Sequence, residues 1–236
     1  MSSNDQGIAG RTAVISGATG ELGASLARDL ATHGASLALL GRDGTALDAL
    51  ASTLGVAPDR VFAHAVNLLD PEAASEAAEA VAVRFKRIDV LLHVVGGYVG
   101  GKTVVDTPRS DLEWMLNQHV WTSFNVAQAF VPHLIRNGYG RIIMITSTSG
   151  VRPSAKGGAY AIGKAGQEAL MLTLSQELKG TGVTANVLQA RMIDEERNKV
   201  AAPSAENAAW TTPEEFAAAV RFLLSPEAAT INGAKI

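Results

Sequence analysis

The sequence contains no cysteine. Disulfide bridges, thiolate nucleophiles and cysteine-ligated metal sites are therefore excluded. The five histidines fall on separate predicted elements and lack the paired spacing of metal ligands, so we expect no metal site. They are His33, His64, His93, His119 and His133.

Charged residues and long apolar runs are also scarce. Charged residues make up 18% of the 236 residues, the net charge is −3, and Lys and Arg form no cluster. This composition does not favour binding to nucleic acid or another polyanion. No apolar run reaches the roughly 18 residues that cross a bilayer, and residues 1–10 lack the pattern of a signal peptide. We expect a cytoplasmic protein that binds neither nucleic acid nor membranes.

Short apolar runs alternate with helical patterns, which predicts an α/β fold. The length and the 47% hydrophobic content suit one domain over residues 1–236. The runs are rich in Val, Ile and Leu and are bounded by Gly or polar residues, as buried strands are. They cover residues 12–16, 36–40, 61–65, 90–95, 142–146 and 183–188. Such alternation predicts a parallel sheet covered on both faces, with its ligand beyond the carboxyl ends of the strands.

Apolar side chains at spacings of three and four residues predict the helices between these strands. One stripe covers residues 22–30, and Gly34 follows it as a stop signal. A long stripe covers residues 112–134, and a third covers residues 161–172.

A glycine-containing loop joins the first strand to the first helix. Residues 16–23 read SGATGELG. Glycines at such a turn allow positive φ and close approach of a pyrophosphate, and the helix N-terminus offers free N–H groups to it. The position between strand and helix favours dinucleotide binding over a purely structural turn.

The end of the second strand bears on the choice of cofactor. An acidic residue there takes the ribose hydroxyls of NAD, whereas an arginine accommodates the 2′-phosphate of NADP. The sequence reads Gly41-Arg42-Asp43, which favours NADP. The alternative is a solvated Arg42, with Asp43 as a helix cap.

Tyr160 and Lys164 lie four residues apart in a predicted helix. Residues at this spacing share a face, so the phenol and the ammonium can act on one space. A free phenol has a pKa of about 10, and a nearby positive charge lowers it toward the range useful for acid–base catalysis. The pair also arises by chance as a structural feature, so a further residue must decide its meaning.

That residue is Ser147, which ends the segment GRIIMITS thirteen residues before Tyr160. The glycine loop, Ser147, Tyr160 and Lys164, in this order and spacing, resemble the short-chain dehydrogenase/reductases, and in particular their 3-oxoacyl carrier-protein reductases. The resemblance extends from residue 10 to about residue 236. It implies a doubly wound Rossmann fold with a seven-stranded, mainly parallel sheet, and a homotetramer or homodimer.

The resemblance also implies the roles of single residues. Ser147 would hold the substrate oxygen, Tyr160 would exchange the proton, and Lys164 would tune Tyr160 and grip the nicotinamide ribose. NADP, or else NAD, would exchange a hydride with a carbonyl or alcohol substrate. The implied cofactor contacts are Gly17, Thr19, Gly20, Glu21, Leu22, Gly23, Arg42, Asn67, Leu68, Val95, Gly96, Tyr160, Lys164 and Ile193.

Several positions depart from the family's pattern. Glu21 stands where the middle glycine of the loop is usual, Asn67 replaces an aspartate, and Arg191 replaces a glycine after the sixth strand. Arg191 would bind an anionic substrate group or be an ordinary surface residue. His93 replaces an amide side chain, and a buried, hydrogen-bonded role is its favoured interpretation. His119 takes the place of the family's catalytic asparagine.

Two interpretations of His119 remain open. It relays protons with a pKa near neutrality, or it is a packing substitution that weakens the relay. For the whole chain, the first hypothesis is an active NADP-preferring carbonyl reductase or alcohol dehydrogenase. The alternative is an NAD(P)-binding protein with little or no turnover, acting as a sensor or partner subunit. A third is a purely structural oligomer subunit, without affinity for the cofactor.

Overall fold

Strands and helices alternate along the chain in the computed structural model, which describes residues 7–236. The prediction about a signal peptide at residues 1–10 falls partly outside this range. The strands are β1 (Thr12–Ser16), β2 (Ser36–Gly41), β3 (Val61–Ala65), β4 (Val90–His93), β5 (Gly140–Ser147) and β6 (Val183–Ala190). The helices are α1 (Glu21–Thr32), α2 (Gly44–Thr53), α3 (Pro71–Phe85), α4 (Arg109–Leu116), α5 (Thr122–Arg136), α6 (Gly158–Glu177), α7 (Asn198–Ala201) and α8 (Pro213–Leu224).

All described strand pairs are parallel, and the strand order is β3-β2-β1-β4-β5-β6. The order reverses between β1 and β4, so a crevice opens beyond the carboxyl ends of these two strands. This confirms the predicted doubly wound α/β sheet. It also places the loop after β1 and the loop after β4 side by side.

The predicted number of strands was wrong, because the described residues form six rather than seven. The last residues of the chain lie along the free edge of β6 without forming a regular strand. Val187 N donates to the Ala234 carbonyl oxygen at 2.9 Å, and Lys235 forms one isolated bridge with Val187. Gly233 turns the backbone with φ 77, and its N donates to the Ala185 carbonyl oxygen of β6 at 2.9 Å.

Two apolar layers cover the sheet. Alternate strand residues such as Ile15 and Leu39 pack under α1, α2 and α8, while Val14 and Leu40 pack under α3, α5 and α6. Because both faces are covered, most strands are apolar at successive positions, although β6 carries Thr184 and Asn186 between its apolar residues. This is why the strands could be recognised as continuous runs.

The fourth strand is shorter than its predicted range, residues 90–95. β4 ends at His93, and the chain then turns toward the glycine loop, where a Cβ on Gly17 would lie 2.9 Å from Val95 N. The long helix predicted over residues 112–134 is also interrupted. A π-helical segment, Asn117–Trp121, separates α4 from α5 and carries His119. Among residues 7–236, no helix combines the length and apolarity needed to span a membrane.

Candidate active site

Two adjoining cavities open at the carboxyl edge of the sheet. Their volumes are about 720 and about 690 Å³, and we call them the first and the second cavity. The first lies toward β2 and β3, and the second lies toward β5, α6 and the segment after β6. Both are lined by Gly17, Gly20, Val94, Val95 and Gly96. The turn after β1 and the turn after β4 therefore form the shared middle of one elongated site.

The glycine loop brings backbone atoms close to this shared region. Gly17 has φ 80, and a Cβ on Gly23 would lie 2.3 Å from the Gly17 carbonyl oxygen. The N-cap of α1 is Gly20, and no side chain caps this helix N-terminus. Free N–H groups and the positive end of the helix dipole therefore face the cavity, as binding of a pyrophosphate requires.

Glu21, the first residue of α1, places a carboxylate beside this helix terminus. Its side chain is exposed and lies 3.6 Å from Nη1 of Arg197, between a carboxylate oxygen and the guanidinium. Arg197 also forms an ion pair with Glu214 at 2.7 Å. The charge of Glu21 is thus partly balanced by an arginine from the segment that follows β6.

The first cavity is lined by several of the predicted cofactor contacts. Thr19, Arg42, Asn67 and Leu68 line it. Arg42 is exposed at its rim, whereas the neighbouring Asp43 caps α2 by accepting from Ala46 N at 3.1 Å. Asp43 therefore performs the capping role that the sequence offered as an alternative, and Arg42 is the charged group that lines this end.

The second cavity contains the residues of the predicted catalytic end. Tyr160, Lys164 and Ile193 line it together with Glu21, Leu22 and Gly23. Ser147 ends β5 directly beside it, where its buried hydroxyl oxygen accepts from Ser149 N at 3.2 Å. The predicted cofactor and catalytic residues thus surround one elongated site.

Tyr160 is half-buried at the wall of the second cavity. Burial raises its pKa, the nearby Ser147 hydroxyl lowers it in part, and Tyr98 raises it further. That Lys164 lowers this pKa stays a prediction. The Lys164 nitrogen lies 5.8 Å from the centre of the Tyr160 ring, and burial lowers the pKa of Lys164 itself to about 7.

Lys164 is held by two hydrogen bonds from its nitrogen. It donates to the Ile145 carbonyl oxygen at 3.2 Å and to Gln167 Oε1 at 2.9 Å. The side chain is 6% exposed, and the exposed part belongs to the cavity wall. An ammonium has three donors, so one remains for a group in the cavity.

His119 is fully buried between α6 and the loop that follows β4. Its Nε2 lies 2.9 Å from the Gly97 carbonyl oxygen, which can only accept, so Nε2 carries a proton. Its ring meets the ring of Tyr160 edge-on, with 5.6 Å between centres. Burial, and then the charge of Lys164, lower its pKa to about 4. This pKa lies well below neutrality, which favours the packing interpretation, and the proton relay stays a prediction.

His93 is a buried, hydrogen-bonded residue at the end of β4, as its favoured interpretation states. Its Nδ1 lies 2.7 Å from Ser16 Oγ, which joins it to the end of β1. Burial lowers its pKa to about 3. A neutral His93 thus ties together the two strands whose loops form the middle of the site.

Three contacts in the site were not predicted from the sequence. Tyr98 lines the second cavity and meets Tyr160 edge-on at 5.1 Å between ring centres. Asn125 donates to the carbonyl oxygens of Leu68 and Leu69, each at 3.0 Å, and so fixes a wall of the first cavity. Gln167 contacts Lys164. Two of these residues could have been noticed in the sequence, because the polar Asn125 and Gln167 interrupt apolar helical faces.

Comparison with known proteins assigns the family. A family model described as short chain dehydrogenase matches residues 11–205. The chain belongs to the short-chain dehydrogenase/reductase family. It is 30% identical over 182 residues to the 2-dehydro-3-deoxy-L-rhamnonate dehydrogenase (NAD(+)) of Sphingomonas sp. strain SKA58. The match covers 76% of this chain and 71% of that protein.

Two further short-chain dehydrogenase/reductase matches extend over nearly the whole chain. A 3-oxoacyl-(acyl-carrier-protein) reductase of Thermotoga maritima is 26% identical over 234 residues, with 96% of this chain and 95% of that protein covered. A solved structure of a short chain dehydrogenase from Bacillus anthracis matches with a TM-score of 0.86 at 24% identity, covering 96% of this chain and 94% of that one. The structural match supports the fold. The family and its relatives support an NAD(P)-dependent dehydrogenase or reductase.

The structure also places the departures from the short-chain dehydrogenase/reductase pattern. Asn67 remains at the first cavity, where its Oδ1 accepts from Leu69 N at 3.3 Å. Arg191 is exposed and lines the second cavity, together with Glu195. The altered residues thus lie at the cavity walls, where they can change affinity without changing the fold.

Proposed function

We propose that this chain is an NADP-preferring oxidoreductase that transfers a hydride between the cofactor and a carbonyl or alcohol substrate. Residues 1–236 act as a single cofactor-binding and catalytic domain. One observation carries the proposal: the uncapped N-terminus of α1 and the pair Tyr160 and Lys164 line the same second cavity. A dinucleotide bound along the two cavities would have its phosphates at the helix and its reactive ring beside the phenol.

The residues present fit such a cofactor. A Cβ on Gly17 or Gly23 would collide with neighbouring backbone, so these glycines permit the tight turn of the loop, and the Gly20 N-cap leaves N–H groups for a pyrophosphate. Thr19, Glu21, Leu22, Leu68, Val95, Gly96 and Ile193 complete the proposed contacts. The bound nicotinamide supplies or accepts the hydride.

Tyr160 is the proposed general acid in the reducing direction and the general base in the oxidising direction. Its hydroxyl gives a proton to the substrate oxygen as the carbonyl becomes an alcohol. Ser147, at the end of β5, donates a hydrogen bond to the same oxygen and so holds the carbonyl toward Tyr160. Lys164 presents its remaining donor to the ribose. His119 contributes by packing against the Tyr160 ring and fixing its orientation.

The NADP preference is supported by Arg42. Arg42 lies at the rim of the first cavity, and the nearby carboxylate of Asp43 caps α2 through Ala46 N. An arginine with a free guanidinium attracts a 2′-phosphate, whereas NAD lacks this group. Arg42→Ala should weaken NADPH binding at least about tenfold and leave NADH binding within about twofold, since one charge-assisted contact contributes about 1.5–3 kcal/mol.

Glu21 favours the alternative, a nucleotide-binding protein with little turnover. Its carboxylate lies beside the helix N-terminus that would receive the phosphates, and Arg197 only partly balances it. Turnover over a panel of carbonyl compounds separates the two functions. Tyr160→Phe should abolish turnover while NADPH still binds, and the matched control Tyr139→Phe, at the opposite end of β5, should retain turnover. Binding by the wild-type chain without turnover over the whole panel would favour the alternative.

We also propose a cytoplasmic homo-oligomer, either a dimer or a tetramer. The absence of cysteine suits a reducing compartment. Large apolar side chains are exposed on the π-helical segment, α5 and α6: Trp121 is 53% exposed, Phe124 41% and Ile162 51%. The rings of Trp121 and Phe124 also contact each other edge-on at 6.4 Å between centres. Such a cluster on the surface is typical of a protein–protein interface.

A further inference from the structure

A chain of buried hydrogen bonds runs from Lys164 into the helix layer behind the site. Lys164 Nζ donates to Gln167 Oε1 at 2.9 Å, and Gln167 Nε2 donates to Ser123 Oγ at 2.9 Å. Ser123 Oγ in turn donates to the main-chain carbonyl oxygen of His119. Gln167 and Ser123 are both completely buried.

The direction of each bond in this chain is fixed by chemistry. The ammonium of Lys164 has donors only, so Gln167 must turn its amide oxygen toward it. The amide NH₂ of Gln167 then faces Ser123, whose hydroxyl oxygen accepts. The hydroxyl hydrogen is left for the His119 carbonyl oxygen, which can only accept. Each of these three hydrogen bonds therefore joins a donor to an acceptor, and the Gln167 amide has one orientation that satisfies both of its bonds.

Packing alone does not account for a glutamine at this place. The buried residues of α6 include the apolar Ala161, Met171 and Leu174, and its buried polar residues Glu168 and Ser175 each have a hydrogen-bond partner. A buried amide is costly unless it is hydrogen-bonded, and an apolar side chain would fill the same space without that cost. The charged group that Gln167 contacts is Lys164. The hydrogen bond to Lys164 therefore explains why a glutamine occupies this position.

We propose that Gln167, supported by Ser123, is a positioning residue that holds Lys164 as an oriented ammonium at the second cavity. The role of Lys164 in catalysis rests on the proposed function, but its protonation is a property of the folded chain itself. Through Ser123 and the His119 carbonyl, the position of Lys164 is also linked to the π-helical segment.

Several ionisable groups face Lys164 from the elements packed against it. Tyr160 and Glu168 come from α6, His119 comes from the π-helical segment, and His93 comes from β4. Burial lowers the pKa of Lys164 to about 7, and Glu168 opposes this. The Gln167 amide oxygen adds a neutral dipole that favours the charged form. Changes at position 167 should therefore move the titration of Lys164 in a direction set by the new side chain.

The test is a pH titration of the Lys164 side-chain nitrogen by NMR in protein labelled with ¹⁵N-lysine. The Lys164 signal is assigned by its loss in Lys164→Arg. In Gln167→Leu the titration midpoint should fall by about one pH unit, because a hydrogen bond to the ammonium is lost. In Gln167→Glu it should rise by at least about one pH unit, because a carboxylate replaces the amide.

Matched variants keep the outcome interpretable. Gln176→Leu changes an exposed glutamine of the same helix and should leave the Lys164 midpoint unchanged. Ser123→Ala should shift it in the same direction as Gln167→Leu but less, and it decides the matter if Gln167→Leu does not fold. Midpoints that move in one direction in both Gln167 variants, or that do not move, overturn the proposal.

A cofactor titration then separates this proposal from the proposed function. If Lys164 grips the ribose, NADPH affinity should depend on pH with the same midpoint and should shift with it in the Gln167 variants. If the two Gln167 variants shift the Lys164 midpoint in opposite directions but the wild-type chain binds no nicotinamide cofactor, the proposed function is contradicted and the positioning role stands. A pH-independent NADPH affinity in all variants would instead contradict the link between Lys164 and cofactor binding.

Discussion

At the scale of single residues, Gly17 shows how closely the backbone is packed at the site. Its φ of 80 lies in the left-handed region, and a Cβ there would lie 2.9 Å from Val95 N. Gly55 has a similar φ of 64, but a Cβ on it would meet open space. The two glycines therefore separate the cost of backbone strain from the cost of a clash.

Gly17→Ala should be more destabilising than Gly55→Ala. Backbone strain costs about 1–2 kcal/mol in either variant, and only Gly17→Ala must also displace the backbone after β4. Thermal unfolding should show a drop of several degrees for Gly55→Ala, at about 2–4 °C per kcal/mol, and a clearly larger one for Gly17→Ala. Cofactor affinity should fall in Gly17→Ala only. Equal losses of stability would show that the approach to Val95 is not tight.

The buried histidines predict a dependence of stability on pH. The pKa of His119 is lowered to about 4 from an ordinary value of 6.5. Below pH 6.5 the unfolded chain therefore binds a proton that the folded chain does not bind, so the free energy of unfolding falls as the pH decreases toward 4. The slope is at most about 1.4 kcal/mol per pH unit for this one group.

Urea unfolding at pH 7.5, 6 and 5 measures this effect. His119→Asn should flatten the decrease between pH 6.5 and 4, since other titrating groups are common to both proteins. His93→Asn should act in the same way, because burial lowers the pKa of His93 to about 3. A decrease of equal slope in the wild type and in His119→Asn would show that the pKa of His119 is not lowered in the folded chain.

The positions of Ser147, Tyr160 and Lys164 follow from the predicted elements, whereas their catalytic roles come from the family resemblance and stay predictions. Ser147 ends a buried strand, and Tyr160 and Lys164 share a helix face, so the topology brings all three to the carboxyl edge of the sheet. The direction of the Tyr160 pKa could not be predicted, since burial is a property of the packed molecule. Gln167 was missed for the same reason: its partners Ser123 and Lys164 lie on different helices.

At the scale of elements, the strands were easier to predict than the helices. Most strands are buried along almost their whole length and contrast with their polar ends, whereas β3 is only half-buried. α3 was not predicted, because its buried residues are mainly alanines, such as Ala74 and Ala77, whose periodicity is weak. Its start did carry a signal: Asp70 accepts from Glu72 N at 2.9 Å as the N-cap, and Pro71 follows it.

A capping box at the start of α8 offers a test of element stability away from the site. The Thr212 hydroxyl accepts from Glu215 N at 3.2 Å, and the Glu215 carboxylate accepts from Thr212 N at 2.9 Å. Thr212→Ala should cost about 1 kcal/mol of the free energy of unfolding. Thr173→Ala, an exposed threonine within α6, is the control and should cost less. A smaller loss at Thr212 than at Thr173 in urea unfolding would contradict the capping role.

At the scale of the whole molecule, the exposed aromatic residues predict assembly. Trp121→Glu and Phe124→Glu place charges where the proposed interface is apolar, so each should shift the protein toward the monomer. Light scattering after size exclusion measures the mass, and Val83→Glu, an exposed apolar site on α3, is the control. An oligomer that survives both aromatic substitutions would place the interface elsewhere, and a monomeric wild type would refute assembly.

Cofactor binding at the glycine loop connects the fold to the proposed reaction. The most direct measurement is the nicotinamide fluorescence of NADPH, and then of NADH, during titration with the wild-type chain and with Arg42→Ala. We expect NADPH to bind more tightly than NADH, and Arg42→Ala to remove that preference. Equal or tighter binding of NADH would contradict the role of Arg42. Binding of neither nucleotide would contradict the proposed oxidoreductase as a whole.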